Sequence, residues 1–152
     1  MDDKIPGTCR CGAVTFEVEG RPLITMACHC HECQHMTGSA FSLSSLYLSD
    51  RFRVTSGTPV ARRVGQMATH HFCPDCASWL FTRPDGMDEL VNVRATLLAD
   101  AAGFRPFMET WTADKLPWAT TPATHSYPGF PPMEAYPALL AEFAGTAAAP
   151  GS

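Results

Sequence analysis

The chain has 152 residues, 45% of them hydrophobic and 17% charged, which fits one soluble globular domain with a buried core. Its formal net charge of -4 offers no basic surface for DNA, RNA or an anionic membrane. No apolar run approaches the about 18 residues that cross a bilayer, and no signal segment is recognisable, so we expect a cytoplasmic protein.

Most of the chain is predicted to form short strands. Residues 12–20 alternate Val14, Phe16 and Val18 with polar residues, which is the pattern of a half-buried strand. Apolar runs bounded by turn residues predict further strands. These runs are PLITMAC, SAFSLSSLYL, RFRVTSG, ATHHFC, SWLFTRP and ELVNVRATL.

The second half of the chain carries fewer signals. A proline-rich region follows Phe104, and we interpret its Trp111 and Trp118 as core residues. Only MEAYPALLAEFA has helical spacing, and its proline is tolerated if it lies in the first turn. The sequence therefore predicts a mainly β, single-domain fold with few short helices over residues 1–144, followed by a disordered tail at 145–152.

Seven cysteines dominate the chemistry that the sequence can support. In a chain expected to be cytosolic they favour metal or redox chemistry over disulfides, and an odd number cannot pair completely. They form three groups: Cys9 with Cys11, then Cys28, Cys30 and Cys33 (the trio below), then Cys73 with Cys76.

The outer two pairs suit one closed structural zinc site. In an extended segment Cys9 and Cys11 point to the same side, away from the apolar face of the next strand unless Gly12 introduces a bulge. Cys73 and Cys76 lie in CPDC, which resembles a zinc knuckle. Four thiolates complete a tetrahedral site. The alternatives are inert buried thiols or a redox C-x-x-C pair, although no βαβ pattern surrounds the latter.

The trio lacks a fourth cysteine, so it predicts a zinc site with one open position. Three thiolates make zinc a weaker Lewis acid, better suited to binding a substrate thiolate than to making hydroxide. The alternatives are a closed site completed by His31 or His35, and a hydrolytic site with Glu32 as base. His29 is expected to point away from its cysteine neighbours.

These motifs resemble a known family when they are taken together. GTCRCGAVTFEV, CHCHECQHMTGSAF, SGTP, HFCPDCASWLF and a late LPW occur in the order found in the glutathione-dependent formaldehyde-activating enzyme and centromere protein V family. The resemblance covers about residues 7–130. It implies a β-tent-like fold with zinc-stapled strands, a structural zinc on Cys9, Cys11, Cys73 and Cys76, and a catalytic zinc on Cys28, Cys30 and Cys33.

The activity that the resemblance implies is a carbon–sulfur lyase reaction between glutathione and formaldehyde, or another small carbonyl compound. The substrate-binding residues expected from their position just after the trio are Gln34, Thr37 and Ser39. Arginines are candidates for holding a substrate carboxylate: Arg51, Arg53, Arg62, Arg63, Arg94 and Arg105. The alternative is a non-catalytic thiol-binding or zinc-stabilised interaction module.

One position departs from the family pattern. The family usually has glycine directly after the knuckle, where this chain has Ala77. If the backbone there needs a positive φ, alanine costs about 1 kcal/mol.

Overall fold

In the computed structural model, which describes residues 3–146, the chain forms two β-sheets and two short α-helices. The strands of the described residues are β1 (Lys4–Thr8), β2 (Thr15–Glu19), β3 (Ile24–Cys28), β4 (Ser42–Leu48), β5 (Phe52–Ser56), β6 (Val60–Arg62), β7 (Ala68–Phe72), β8 (Trp79–Pro84), β9 (Leu90–Arg94), β10 (Met108–Thr110) and β11 (His125–Ser126). The helices are α1 (His31–Thr37) and α2 (Tyr136–Ala144). This architecture confirms the mainly β prediction. None of the described helices is long and apolar enough to cross a membrane.

The two sheets differ in size and in strand direction. The small sheet has the order β1-β2-β5 and is antiparallel. The large sheet has the order β11-β10-β3-β4-β9-β8-β7-β6. It is antiparallel except at β10, which pairs parallel with both β3 and β11. Because β10 comes late in the chain, it brings residues far apart in sequence beside the trio.

One hydrophobic core joins the two sheets. Phe16 and Val18 of β2 are fully buried against β4, β8 and β9, as the alternation in that strand predicts. Burial of this apolar surface is the main favourable contribution to packing one sheet on the other. The buried members of this core are Cys9, Val14, Phe16, Val18, Tyr47, Cys73, Leu80, Phe81, Val91, Val93 and Leu98.

A second core lies on the other face of the large sheet, beneath α2. Leu46 packs with this core while its neighbour Tyr47 belongs to the first, because successive residues of a strand point to opposite faces. Pro137 lies in the first turn of α2, where a missing backbone N–H does no harm. The buried members of this core are Ile24, Phe107, Met108, Leu139 and Phe143.

The same face of the large sheet becomes polar away from α2. Ser44 of β4 pairs directly with Arg94 of β9, and Ser42 pairs with Cys28 of β3. All of these except Cys28 are buried, and Thr82 of β8 extends the buried polar row. The trio adjoins this polar surface through Ser42, whose hydroxyl contacts the Sγ of Cys33.

Several local predictions are wrong. A helix that was not predicted, α1, follows the trio's second cysteine; it buries none of its residues, so it has no apolar period in the sequence. Strand β1 occupies the start of the chain, where Pro6 and Gly7 hide the strand pattern. Trp118 is 73% exposed and is not a core residue. The predicted tail beyond Thr146 lies outside the described residues.

Candidate metal centres and the adjoining cavity

The structure brings the seven cysteines together in the two groups that the sequence predicts. Cys9, Cys11, Cys73 and Cys76 have their sulfur atoms within 4.8 Å of one another, and all seven thiols are free. The Sγ atom of Cys11 lies 3.7 Å from that of Cys9 and 3.8 Å from that of Cys73. A tetrahedral zinc with Zn–S bonds of about 2.3 Å separates its sulfur ligands by about 3.8 Å. The group therefore fits zinc.

A tight turn, rather than an extended segment, presents the first cysteine pair. The N–H of Gly12 donates to the carbonyl of Cys9, and Gly12 has a φ of 82°. The turn places Cys9 in the first core, 2% exposed, so the expectation that it lies off the apolar face is wrong. Its Sγ accepts a hydrogen bond from the N–H of Val14 at 3.3 Å, which favours a thiolate.

The second pair is held by the knuckle between β7 and β8. The N–H of Ala77 donates to the carbonyl of Cys73 at 2.9 Å, and the Ser78 hydroxyl lies 3.1 Å from the Sγ of Cys76. Hydrogen bonds from the hydroxyl and then the N–H of Ser78 lower the pKa of Cys76 to about 5. Ala77 has a φ of 61°, so the left-handed conformation that the family's glycine would suit is present here with an alanine.

The trio is assembled at the end of β3 and the start of α1. Cys28 ends β3, Cys30 is the N-cap of α1, and Cys33 lies in its first turn. The Sγ of Cys30 accepts from the N–H of Cys33 at 3.3 Å, and the Ser42 hydroxyl donates to the Sγ of Cys33 at 3.1 Å. Hydrogen bonds from Cys30 and Cys33 lower the pKa of Cys28, so one thiolate forms readily.

Three soft sulfur donors within 4.8 Å of one another suit zinc. Among the described residues, no histidine or carboxylate joins this group. His31 and His35 stack on each other at 6.4 Å on the exposed side of α1, outside the group. The trio thus offers three protein ligands, the number that catalytic zinc sites use.

His29 is turned away from the trio and fixes the loop that carries it. Its side chain is fully buried, and its Nε2 lies 2.7 Å from Oε1 of Glu109 on β10. The N–H of His29 donates to the carbonyl of Thr110 at 3.0 Å. Burial is the largest single influence on the pKa of Glu109 and raises it. Thr121 and Ser126 donate to the same carboxylate, and their hydrogen bonds together with that of His29 outweigh the effect of burial, so the pKa of Glu109 is lowered. No motif or spacing in the sequence identified Glu109 as part of this site.

An open cavity of about 460 Å³ is lined in part by neighbours of both cysteine groups. Ser42, which contacts Cys33, lies on one wall, and Ala77 and Ser78 of the knuckle lie on another. The complete lining is Met36, Thr37, Ser39, Phe41, Ser42, Leu43, Ala77, Ser78, Trp79, Arg94, Thr96 and Leu97.

The sequence-predicted substrate residues have different positions around this cavity. Thr37 and Ser39 line it. Gln34 does not: its amide donates to the carbonyls of His29 at 2.7 Å and Asp114 at 3.0 Å, which ties α1 to the loop after β10.

The structure separates the six candidate arginines sharply. Arg53 and Arg63 form exposed ion pairs with Glu17 and Asp85, and Arg51 lies near Glu19. Arg62 and Arg105 donate to neighbouring backbone carbonyls. Only Arg94, of these six, lines the cavity.

Comparison with known proteins supports the family resemblance. A crystal structure of a Rhodobacter sphaeroides protein is similar with a TM-score of 0.51 and 24% identity, over 62% of this chain and 87% of that one, which shows a shared fold. Comparison with curated proteins gives no match. The family model described as glutathione-dependent formaldehyde-activating enzyme matches residues 4–114, more than two thirds of the chain. The chain therefore belongs to the glutathione-dependent formaldehyde-activating enzyme family.

Proposed function

We propose that this protein is a zinc-dependent carbon–sulfur lyase-type enzyme that acts on adducts of a thiol with a small carbonyl compound. Glutathione and formaldehyde are the substrates that the family description suggests. The observation that carries the proposal is the trio itself: three thiols with no fourth ligand among the described residues. An open cavity is lined by Ser42, which contacts Cys33. The proposal takes Cys28, Cys30 and Cys33 as ligands of a catalytic zinc, and the other four cysteines as ligands of a structural zinc.

The reaction joins the sulfur of a substrate thiolate to the carbonyl carbon. The π-electron pair of the C=O bond moves to oxygen, which takes up the proton that the thiol gave up. The reverse reaction breaks the C–S bond and returns both molecules. Zinc bound at the trio would supply a lowered thiol pKa and a fixed position for the sulfur.

The surrounding residues would keep the trio rigid and limit its charge. Ser42 donates to Cys33, and Thr110 hydrogen-bonds Cys28, so part of the thiolate charge is shared with donors from β4 and β10. His29 and Glu109 hold the loop between the first two cysteines. Preorganised ligands of this kind do not have to rearrange when substrate binds.

Metal content, thiol binding and turnover on one preparation test the proposal. We expect two zinc ions per chain, a binding isotherm with glutathione, and a rate of S-(hydroxymethyl)glutathione formation above the spontaneous rate. We also propose a cytoplasmic location, because cysteines that bind metal are typical of reducing compartments. Binding without rate enhancement would refute the lyase activity for these substrates and leave a thiol-binding module.

A further inference from the structure

Arg94 is a buried cation without a carboxylate partner among the described residues. Its side chain is buried in the large sheet, and its Nε has no hydrogen-bond partner among the described residues. The charges that favour the guanidinium are those of Cys33 and Cys28 when these two thiols are ionised. Burial lowers the pKa of Arg94 to about 10, so it stays protonated at neutral pH. A buried guanidinium with no carboxylate bound to its donors is costly for a fold, since hydrophobic residues of similar size would pack there at no such cost.

The position of Arg94 leaves its donor edge available to a ligand. The guanidinium lies over the ring of Trp79, with 3.9 Å between Cζ and the ring centroid, and both side chains line the cavity. Trp79 is itself fixed because its Nε1–H donates to Thr82 at 2.9 Å. Stacking covers the face of the guanidinium, whereas its hydrogen-bond donors point outward in the plane, in the fork that matches a carboxylate.

The backbone of Arg94 lies near Ser42, the residue that contacts the trio. Arg94 pairs with Ser44, which is two residues along β4 from Ser42, the residue that contacts Cys33. With about 3.4 Å per residue and about 4.8 Å between strands, the Cα atoms of Arg94 and Ser42 are about 8 Å apart. A thiol bound at the trio could therefore place a carboxylate at Arg94.

We propose that Arg94, stacked on Trp79, is a carboxylate-binding residue that makes this site selective for thiols carrying a carboxylate. The inference rests on the proposed function in taking the trio as the thiol site. It goes further in naming the chemical class of substrate and the side chain that selects it. The exposed arginines are not suited to this role, because they have surface partners and lie outside the cavity wall.

Two thiols of similar size test the selectivity of the zinc-loaded protein by calorimetry: 3-mercaptopropionate carries a carboxylate, and 2-mercaptoethanol does not. The native protein should bind 3-mercaptopropionate more tightly. Arg94→Met should lower that affinity at least about tenfold, as expected for hydrogen bonds to a charged group, and change the affinity for 2-mercaptoethanol by less than about twofold. Arg94→Lys keeps the charge without the fork and should recover only part of the affinity.

The matched control is Arg53→Met, which removes an exposed arginine paired with Glu17 and should leave both affinities unchanged. Arg94→Met should remain folded, because methionine keeps the apolar length of the side chain at this buried position, and thermal unfolding of both proteins checks this.

Three results would overturn the inference. The native protein could bind 3-mercaptopropionate no more tightly than 2-mercaptoethanol, or Arg94→Met could lose affinity for both thiols equally, or it could lose affinity for neither. Equal loss would assign Arg94 to balancing the charge of the cysteine thiolates. Selective loss without any catalytic turnover would refute the proposed lyase activity while supporting the carboxylate site, so the two failures can be told apart.

Discussion

Replacing Ala77 by glycine should stabilise the protein. Ala77 follows the knuckle cysteines with a φ of 61°, a conformation that costs a residue with a Cβ about 1–2 kcal/mol. Its side chain is exposed, so glycine would lose little packing, and the bond from its N–H to the carbonyl of Cys73 would stay. Alanine at this position therefore strains the turn that aims two ligands at the structural metal site.

The expected gain is the relief of strain less the extra entropy of glycine in the unfolded chain. Glycine loses about 0.4–1 kcal/mol more than alanine on folding, so Ala77→Gly should raise the free energy of unfolding by about 1 kcal/mol. For a domain of this size that corresponds to a rise in Tm of about 2–4 °C. Since binding at a structural metal site is coupled to folding, zinc should also be held about fivefold more tightly against a chelator.

Thermal unfolding at fixed excess zinc, together with competition by a chelator, measures both effects. The matched control is Ala141→Gly, which makes the same chemical change at an exposed position inside α2. Glycine in a helix interior costs about 1 kcal/mol, so the control should shift Tm in the opposite direction. If Ala77→Gly lowers Tm as Ala141→Gly does, the positive φ carries no strain and the reasoning is refuted.

Three further predictions concern the metal sites and the packing around them. Cys30→Ser should remove one zinc and leave the protein folded, whereas Cys76→Ser should sharply lower Tm; equal unfolding of both variants would make the trio structural as well. Because the pKa of Glu109 is lowered in the folded protein, its carboxylate stabilises the fold above pH about 4.5, and this contribution is lost as pH falls through the folded pKa. Glu109→Gln should therefore make the free energy of unfolding depend less on pH in that acid range. An unchanged pH dependence would contradict this. Gly57→Ala should cost at least about 2 kcal/mol in chemical denaturation, because a Cβ would lie 2.1 Å from the carbonyl oxygen of Ala13 at a φ of 79°; a neutral result would refute that contact.

Much of the fold and the grouping of the thiols could be predicted because both depend on local patterns. Alternation in β2 identified Phe16 and Val18 as core residues, and both are buried. Cysteine spacing and an odd total led to the partition into four and three, which matches the two groups in space. The family usually has glycine where this chain has Ala77. This departure was informative because a backbone with a positive φ favours glycine, and the φ of Ala77 is 61°.

The remaining parts depend on contacts between distant segments, which local patterns do not contain. Glu109 reaches His29 only because β10 pairs parallel with β3. Arg94 ends β9, a strand whose sequence alternates apolar and polar residues. Nothing in that sequence distinguishes a solvated arginine from one that is buried against Trp79, which lies 15 residues earlier in the chain. Helix α1 is held by its capping residues and its neighbours, not by an apolar face, so hydrophobic spacing does not reveal it.

The two cysteine groups differ in how much chain they must close, and this gives the molecule an order of assembly. The trio spans only residues 28–33, whereas the other group joins the turn before β2 to the knuckle before β8. Closing a loop of about 64 residues costs about 2 kcal/mol more than closing one of about 5. During synthesis the trio is complete before Cys73 leaves the ribosome. Metal can therefore bind at the site proposed for chemistry before it binds at the four-cysteine group, which needs segments of both sheets to come together.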